Sequence, residues 1–201
     1  DSSPVAHVAV AFETEGANSA MTVPLMLIKT VLGSWDTTAT IGKNSAWKLT
    51  QWISEGNLAY SYKPFHCLYK DSGLFGIQWS AKDCHQEDLM YAATYQLMRT
   101  VHQLTDEEVE RAKVCLKAEL LAKTGSTASI VEGLGTQMLA HGRHLSLAEL
   151  FTRIDDLSVL DVKECAKAVI NDKDHALAAI GPIHELPDYN WIRRRSYWLR
   201  Y

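Results

Sequence analysis

Two short alternating runs, Leu58 to Cys67 and Leu74 to Ser80, constrain this chain more than any other stretch. Between them lies Leu68-Tyr69-Lys70-Asp71-Ser72-Gly73, and the polar pair Gly56-Asn57 leads into the first run. Successive side chains of a strand point to opposite faces. Period-two alternation bounded by Gly and Asp therefore marks a hairpin with one buried side. Helical periodicities lie on both sides of it, so the hairpin is expected at the centre of a sheet that helices cover.

The remaining elements follow from local chemistry. Ala6 to Glu13 alternates, with Val8, Val10 and Phe12 on one side, and reads as a first strand. Gly16-Ala17-Asn18-Ser19 ends it. Val23 to Leu32 spaces Leu25, Ile28 and Leu32 as a helix does, and Pro24 suits a first helical turn. Gly33 to Asn44 reads as a polar loop. A second helix starts at Ser45, carries Leu49, Trp52 and Ile53 on one face, and ends at Gly56. Cys84 to Gln103 is expected as a long helix bearing Leu89, Ala93, Leu97 and Val101. Thr105-Asp106-Glu107-Glu108 opens the next, with the Thr hydroxyl accepting from the third helical N–H and Glu108 reaching back. The three acids also complement the positive end of the helix dipole. That helix runs to about Lys123, and Gly125-Ser126-Thr127 restarts the chain into another through His141. Ser146-x-x-Glu149 and Ser158-x-x-Asp161 open two short helices. Asp174 to Ile180 is a last strand ended by Gly181-Pro182, and Pro187-Asp188-Tyr189 starts a final turn or short helix. Strand, helices, hairpin, a block of helices and a strand make one α+β domain over residues 1–201, a sheet covered on one face by helices.

Composition narrows the function classes. A net charge of −4 over 201 residues gives no global basic field for nucleic acid. No apolar run reaches the roughly 18 residues that read as a membrane span. The chain opens at Asp1 with no initiator Met, signal or transit peptide, so a processed chain or a piece of a longer one is expected. The four cysteines, Cys67, Cys84, Cys115 and Cys165, are far apart and form no C-x-x-C pair, the pattern of buried reduced thiols.

Eight histidines raise the question of zinc, yet neither H-E-x-x-H nor H-x-x-E-H occurs. His141-Gly142-Arg143-His144 lacks a carboxylate in register and reads as a cationic helix end. His85, Glu87 and Asp88 crowd a helix start, where acids belong. No G-x-S-x-G elbow and no phosphate-binding glycine pattern is present. Gly133-Leu134-Gly135 lies inside a helical pattern, where each Gly costs up to about 1 kcal/mol relative to Ala, and close helix packing is the expected reason. Arg193-Arg194-Arg195 and Arg200 sit among Trp191, Tyr197, Trp198 and Tyr201. Such interleaving suits nucleic acid or anionic lipid, but packing of the aromatics on the domain or a partner subunit is the favoured reading.

An ordered set of stretches adds a resemblance: Gly56-Asn57-Leu58-Ala59-Tyr60-Ser61, Asp71-Ser72-Gly73-Leu74-Phe75-Gly76, Gly125-Ser126-Thr127, Gln137-Met138-Leu139, Arg153-Ile154-Asp155, Gly181-Pro182-Ile183 with Leu186-Pro187-Asp188, and Trp198-Leu199-Arg200. Together they resemble the C-terminal half of the pitrilysin-type metallopeptidases along essentially the whole chain. Within that family the similarity is to the β-type processing-peptidase subunits and to core protein 1 of ubiquinol–cytochrome c reductase (respiratory complex III). The resemblance implies a mixed β-sheet covered on one face by helices. It implies a zinc site in a separate N-terminal half, with no metal or cofactor held here. The implied partners are that N-terminal half, an α-type subunit (or core protein 2 and complex III), and presequence peptides, in the mitochondrial matrix or on the matrix side of the inner membrane. No nucleic acid and no membrane span are implied. The resemblance implies that two subunits close around a chamber and that this half shapes its wall and the subunit interface. Active relatives of simple architecture place an Arg seven positions before a Tyr, both reaching toward the scissile carbonyl. Here Tyr60 holds the Tyr position, as a transition-state support, while Ile53 stands where the Arg would be. The loop after Trp35-Asp36 is glycine-rich in β-type relatives, whereas Thr37-Thr38-Ala39-Thr40-Ile41-Gly42 holds one Gly, which favours a structural role.

Overall fold

The alternating runs become adjacent strands of a five-stranded sheet in a computed structural model that describes residues 4–39 and 41–197. In chain order the elements are β1 (Ala6–Glu15), α1 (Thr22–Leu32), β2 (Trp35–Asp36), α2 (Lys48–Gly56), β3 (Ser61–Leu68), β4 (Ser72–Ala81), α3 (Gln86–His102), α4 (Asp106–Ala122), α5 (Thr127–His141), α6 (Leu147–Asp155), α7 (Val159–Ile170), β5 (Ala176–Ile180) and α8 (Tyr189–Arg194). A short 3-10 turn, Asp83–His85, precedes α3. The strand order is β2-β3-β4-β1-β5, which puts the second arm of the hairpin at the centre. Trp35–Asp36, inside the expected loop, pairs with β3 as a two-residue edge strand.

The sheet is antiparallel at every pairing, not mixed. The cause is topological. Two long crossovers each skip one strand: β1 leads through α1, the edge strand β2 and α2 to β3, leaving room for β4 between β1 and β3. Likewise β4 leads through five helices to β5, with β1 between. The strands joined by these two crossovers run parallel but are not neighbours, while the edge strand β2, joined to β3 by α2, pairs with it antiparallel.

Register aligns one apolar face. Leu177, Val10, Ile77 and Pro64 form one cross-strand row, and Ala179, Val8, Trp79 and Tyr62 the next. The helices bury this face. Leu25, Leu27, Ile28 and Leu32 of α1, Leu89, Met90, Leu97 and Met98 of α3, and Val162, Ala166 and Ile170 of α7 complete the core. Full burial of such a side chain is worth roughly 1.5–3 kcal/mol. The Tyr62 hydroxyl, carried into this core, donates to the Leu32 carbonyl at 3.1 Å and lies 2.6 Å from Thr50 Oγ1. Trp52 departs from the expected core face. Leu49, Thr50 and Ile53 turn inward, and Trp52 lies partly exposed, edge-on to Tyr91 and Tyr95. Only Cys165 of the cysteines is buried; Cys67 and Cys84 are exposed and Cys115 is intermediate. Cys67 sits where the alternation of β3 points outward, and Cys84 lies in the exposed 3-10 turn before α3.

Caps form where the sequence places them. Thr105 accepts from the Glu108 N–H and Glu108 accepts from the Thr105 N–H; Ser158 and Asp161 repeat the arrangement on α7, and Ser146 caps α6. Glu108 does more than cap. Both of its oxygens accept from Arg99 Nη2, at 2.5 and 2.7 Å, tying the start of α4 to the end of α3. Arg99 is 4% exposed and Glu108 7%. Burial alone would raise the Glu108 carboxyl pKa. The Arg99 hydrogen bonds, the Thr105 N–H and the charges of Arg99 and Lys48 outweigh it and hold the group below the usual range.

One helix stands apart. α5 has fifteen residues and none of them is buried. Close packing is not the reason for its glycines, contrary to the sequence expectation: a methyl group added at Gly133 or Gly135 meets nothing within 4 Å.

Candidate functional site: the uncovered sheet face

The face opposite the helices is built from the other half of each alternation. Its rows read Ile180, His7, Ser80, Ser61, then Ala178, Ala9, Gln78, Lys63, then Ala176, Ala11, Gly76, Phe65. Among the described residues no helix covers it. Four alanines and a glycine keep its middle low, and the Phe65 ring crosses above Gly76, where a Cβ would come within 2.9 Å of the ring and 2.0 Å of the Val10 carbonyl oxygen. A shallow groove of about 390 Å³ runs across the first two rows, lined by His7, Ala9, Lys63, Gln78, Ser80 and Ile180 among others. Small side chains let another backbone approach the sheet closely, and the polar groups at the rim supply hydrogen bonds. The surface suits an extended peptide.

The groove holds little else in the way of chemistry. His7 Nδ1 lies 2.9 Å from Ser80 Oγ. In its row the imidazole is flanked by Ile180 and Ser80, neither of which orients it as a carboxylate does. The N–H groups of β1 and β4 are committed to neighbouring strands, so no pair of them is aimed at a developing oxyanion.

Tyr60 lies just before β3, next to Ser61 of this face and two residues ahead of the core-facing Tyr62. Its N–H donates to the Ser80 carbonyl at 2.8 Å, and its own carbonyl accepts from the Thr37 N–H at 2.9 Å, which pins the backbone between two strand ends. The phenol is 41% exposed. Ile53 lies in the core at 2% exposure, so the two positions are not brought together on one surface. Thr40, in the loop after β2, is outside the described residues.

Among the described residues, no three His, Cys, Asp or Glu side chains converge as metal ligands, so the donor set does not fit zinc. The histidines are spread over the molecule. His141 meets Asn18 and His144 meets Gln137, where Gly142 at φ +70° ends α5. His66 is largely enclosed beside Phe75; burial and the charge of Lys29 push its pKa down to about 4. His175 stacks on Tyr189, and burial and the charge of Arg193 lower its pKa against the opposing pull of Asp174. Burial, with the charge of Glu15, pushes the Cys165 thiol up to about 12 and leaves it unreactive. Two arginines of the basic C-terminal run are engaged locally. Arg193 pairs with Asp172 and Asp174, and Arg195 lies over the rings of Tyr91 and Trp191. Trp198, Arg200 and Tyr201 lie outside the described residues.

Sequence reasoning singles out Tyr60 and misses the groove. The signal is present as the odd-numbered alanines of β1, Ala9 and Ala11, opposite the apolar Val8, Val10 and Phe12.

This fold has counterparts. The family model described as the peptidase M16 inactive domain matches residues 1–114. The chain belongs to the M16 peptidase family. The M16 domain is 43% identical over 201 residues to the probable mitochondrial-processing peptidase subunit beta of Arabidopsis thaliana, covering all of this chain and 38% of that protein. It is 37% identical over 199 residues to the mitochondrial-processing peptidase subunit beta of Bos taurus, covering 99% of this chain and 41% of that one. Its backbone superposes on a chain of complex III2 from Candida albicans, Inz-5 bound, with a TM-score of 0.94 and 27% identity, over 98% of this chain and 48% of that chain. The M16 domain thus spans less than half the length of the relatives it matches. The pitrilysin-type resemblance is borne out, as is the α+β fold. Among the described residues no helix is long and apolar enough to cross a membrane.

Proposed function

We propose that this M16 domain is the C-terminal, non-metal half of a β-type mitochondrial processing-peptidase subunit. Its uncovered sheet face forms part of the wall of a chamber in which zinc, held by the N-terminal half, cuts presequences. The observation that carries this reading is the 43% identity to a probable β subunit over 201 residues, covering all of this chain. A low, hydrogen-bonding sheet face supports it, because an extended peptide needs a surface its backbone can approach. Its partners are the N-terminal half and an α-type subunit, and its place is the mitochondrial matrix or the matrix side of the inner membrane. Zinc, when bound by the companion half, supplies a Lewis acid and an activated water. The residues described above contribute binding and enclosure.

A second reading, a core subunit of respiratory complex III with little or no hydrolysis, is favoured by the TM-score of 0.94 to a chain of complex III2. The segment encoded before Asp1 separates the two: an intact H-x-x-E-H with a distal Glu supports the peptidase, and a degraded one supports the core subunit. The 201-residue chain alone is expected not to cleave a presequence peptide in added zinc. Chelator-sensitive cleavage by it would refute the division of labour. Tyr60 gives at most weak support to the transition state, since Ile53 donates nothing. Tyr60→Phe in the full enzyme is therefore expected to leave turnover nearly unchanged, and a loss of order 100-fold, the scale of one oxyanion donor, would overturn that.

A further inference from the structure

α5 lies outside the core of the domain. Val131 is 68% exposed and Leu139 83%, and Ile130, Leu134 and Met138 are exposed as well. Its contacts with the rest of the domain are few and lie toward its C-terminal end. There His141 meets Asn18, and the Gln137 side chain accepts from the Leu145 N–H at 2.9 Å. Beside it runs an apolar groove of about 750 Å³, lined by Leu120, Ile130, Leu134, Leu145, Leu147 and Leu150 among others. Gly133 and Gly135 leave a strip of bare helical backbone, where a Cβ at either position would have no neighbour within 4 Å. Two glycines in a helix interior weaken the helix relative to alanine, with no return inside this domain. An exposed apolar surface of this kind marks an interface.

We propose that α5, together with its groove against α4 and α6, is the seat of the other half of the parent polypeptide. The inference rests on the reading of this chain as one half of a longer subunit. Three observations select that occupant. The relatives carry well over half their length outside the matched region, so each has a body of chain available to cover this helix. From Thr127 to His141 the only acid or base besides the terminal histidine is Glu132, which matches an apolar protein face and not a basic peptide. The bare glycine strip lets a facing helix or strand come closer than side chains allow, which suits a permanent contact within one polypeptide.

The test compares the 201-residue chain with the parent polypeptide that carries both halves. Hydrogen exchange across Thr127 to His141 is expected to be fast in the shorter chain and at least roughly tenfold slower in the parent. Val131→Asp with Leu139→Asp is expected to lower the melting temperature of the parent and leave that of the shorter chain unchanged, because both side chains are exposed there. Equal exchange in the two proteins would overturn the assignment of this surface while leaving the proposed function standing. Protection of α5 that grows with concentration of the shorter chain would overturn it in favour of a second copy. A gene that encodes no companion half would remove the proposed function and this inference together.

Discussion

α4 and α5 are consecutive helices of similar length, and they meet opposite fates. α4 opens on a capping box, buries Val109, Ala112 and Leu116, and is bolted to α3 through Arg99 and Glu108. α5 opens on Ser126, whose hydroxyl accepts from the Ser129 N–H, and buries nothing. A good cap and a helical pattern therefore do not say whether a helix is held. What holds α4 is tertiary: a buried ion pair and an apolar stripe that finds a core. What α5 lacks is a surface to lie on.

Substitutions sharpen the contrast. Arg99→Ala is expected to have the largest effect, about 3–5 kcal/mol of lost stability, because it strands a buried carboxylate. Urea unfolding measures it, and a loss under about 1 kcal/mol, the scale of an exposed pair, would show that α4 is held by its apolar stripe alone. Acid tests the same bond. The Glu108 carboxyl is depressed, so the pair's contribution is fully present above the ordinary carboxylate pKa and disappears as pH falls through the lowered one. Hydrogen exchange at falling pH is expected to release the first turn of α4, with α5 already fast at neutral pH. Gly133→Ala has the opposite sign, a gain of up to about 1 kcal/mol in the isolated domain, since the new methyl meets nothing and the helix gains propensity. A loss there would mean that α5 is packed after all. Leu139→Ala is expected to be the mildest, within about 0.5 kcal/mol, as for an exposed surface position.

What the sequence disclosed was what is decided locally. Thr105, Ser146 and Ser158 mark helix starts because the cap lies within three residues of what it satisfies. The alternation of Val8, Val10 and Phe12 marks a strand with one buried face for the same reason. Pairing is not local. The antiparallel sheet follows from two long crossovers that each skip a strand, which no single run of residues records. Helical spacing points Trp52 inward, yet Leu49 and Ile53 fill the available core and the indole rests on Tyr91 and Tyr95. Glu108 reads as a cap from its neighbours and becomes an ion-pair partner only once α3 and α4 are brought together. The groove on the open sheet face needs four strands in register before Ala9, Lys63, Gln78 and Ala178 form one row.

The position of β1 between β4 and β5 has a consequence for how the domain assembles. The first strand made is among the last to be completed, because one neighbour arrives with the hairpin and the other only after five more helices. Until β5 docks, one margin of β1 stays open to any passing strand. Distant pairings of this kind slow folding, and they make β5 the latch whose late closure seals the sheet.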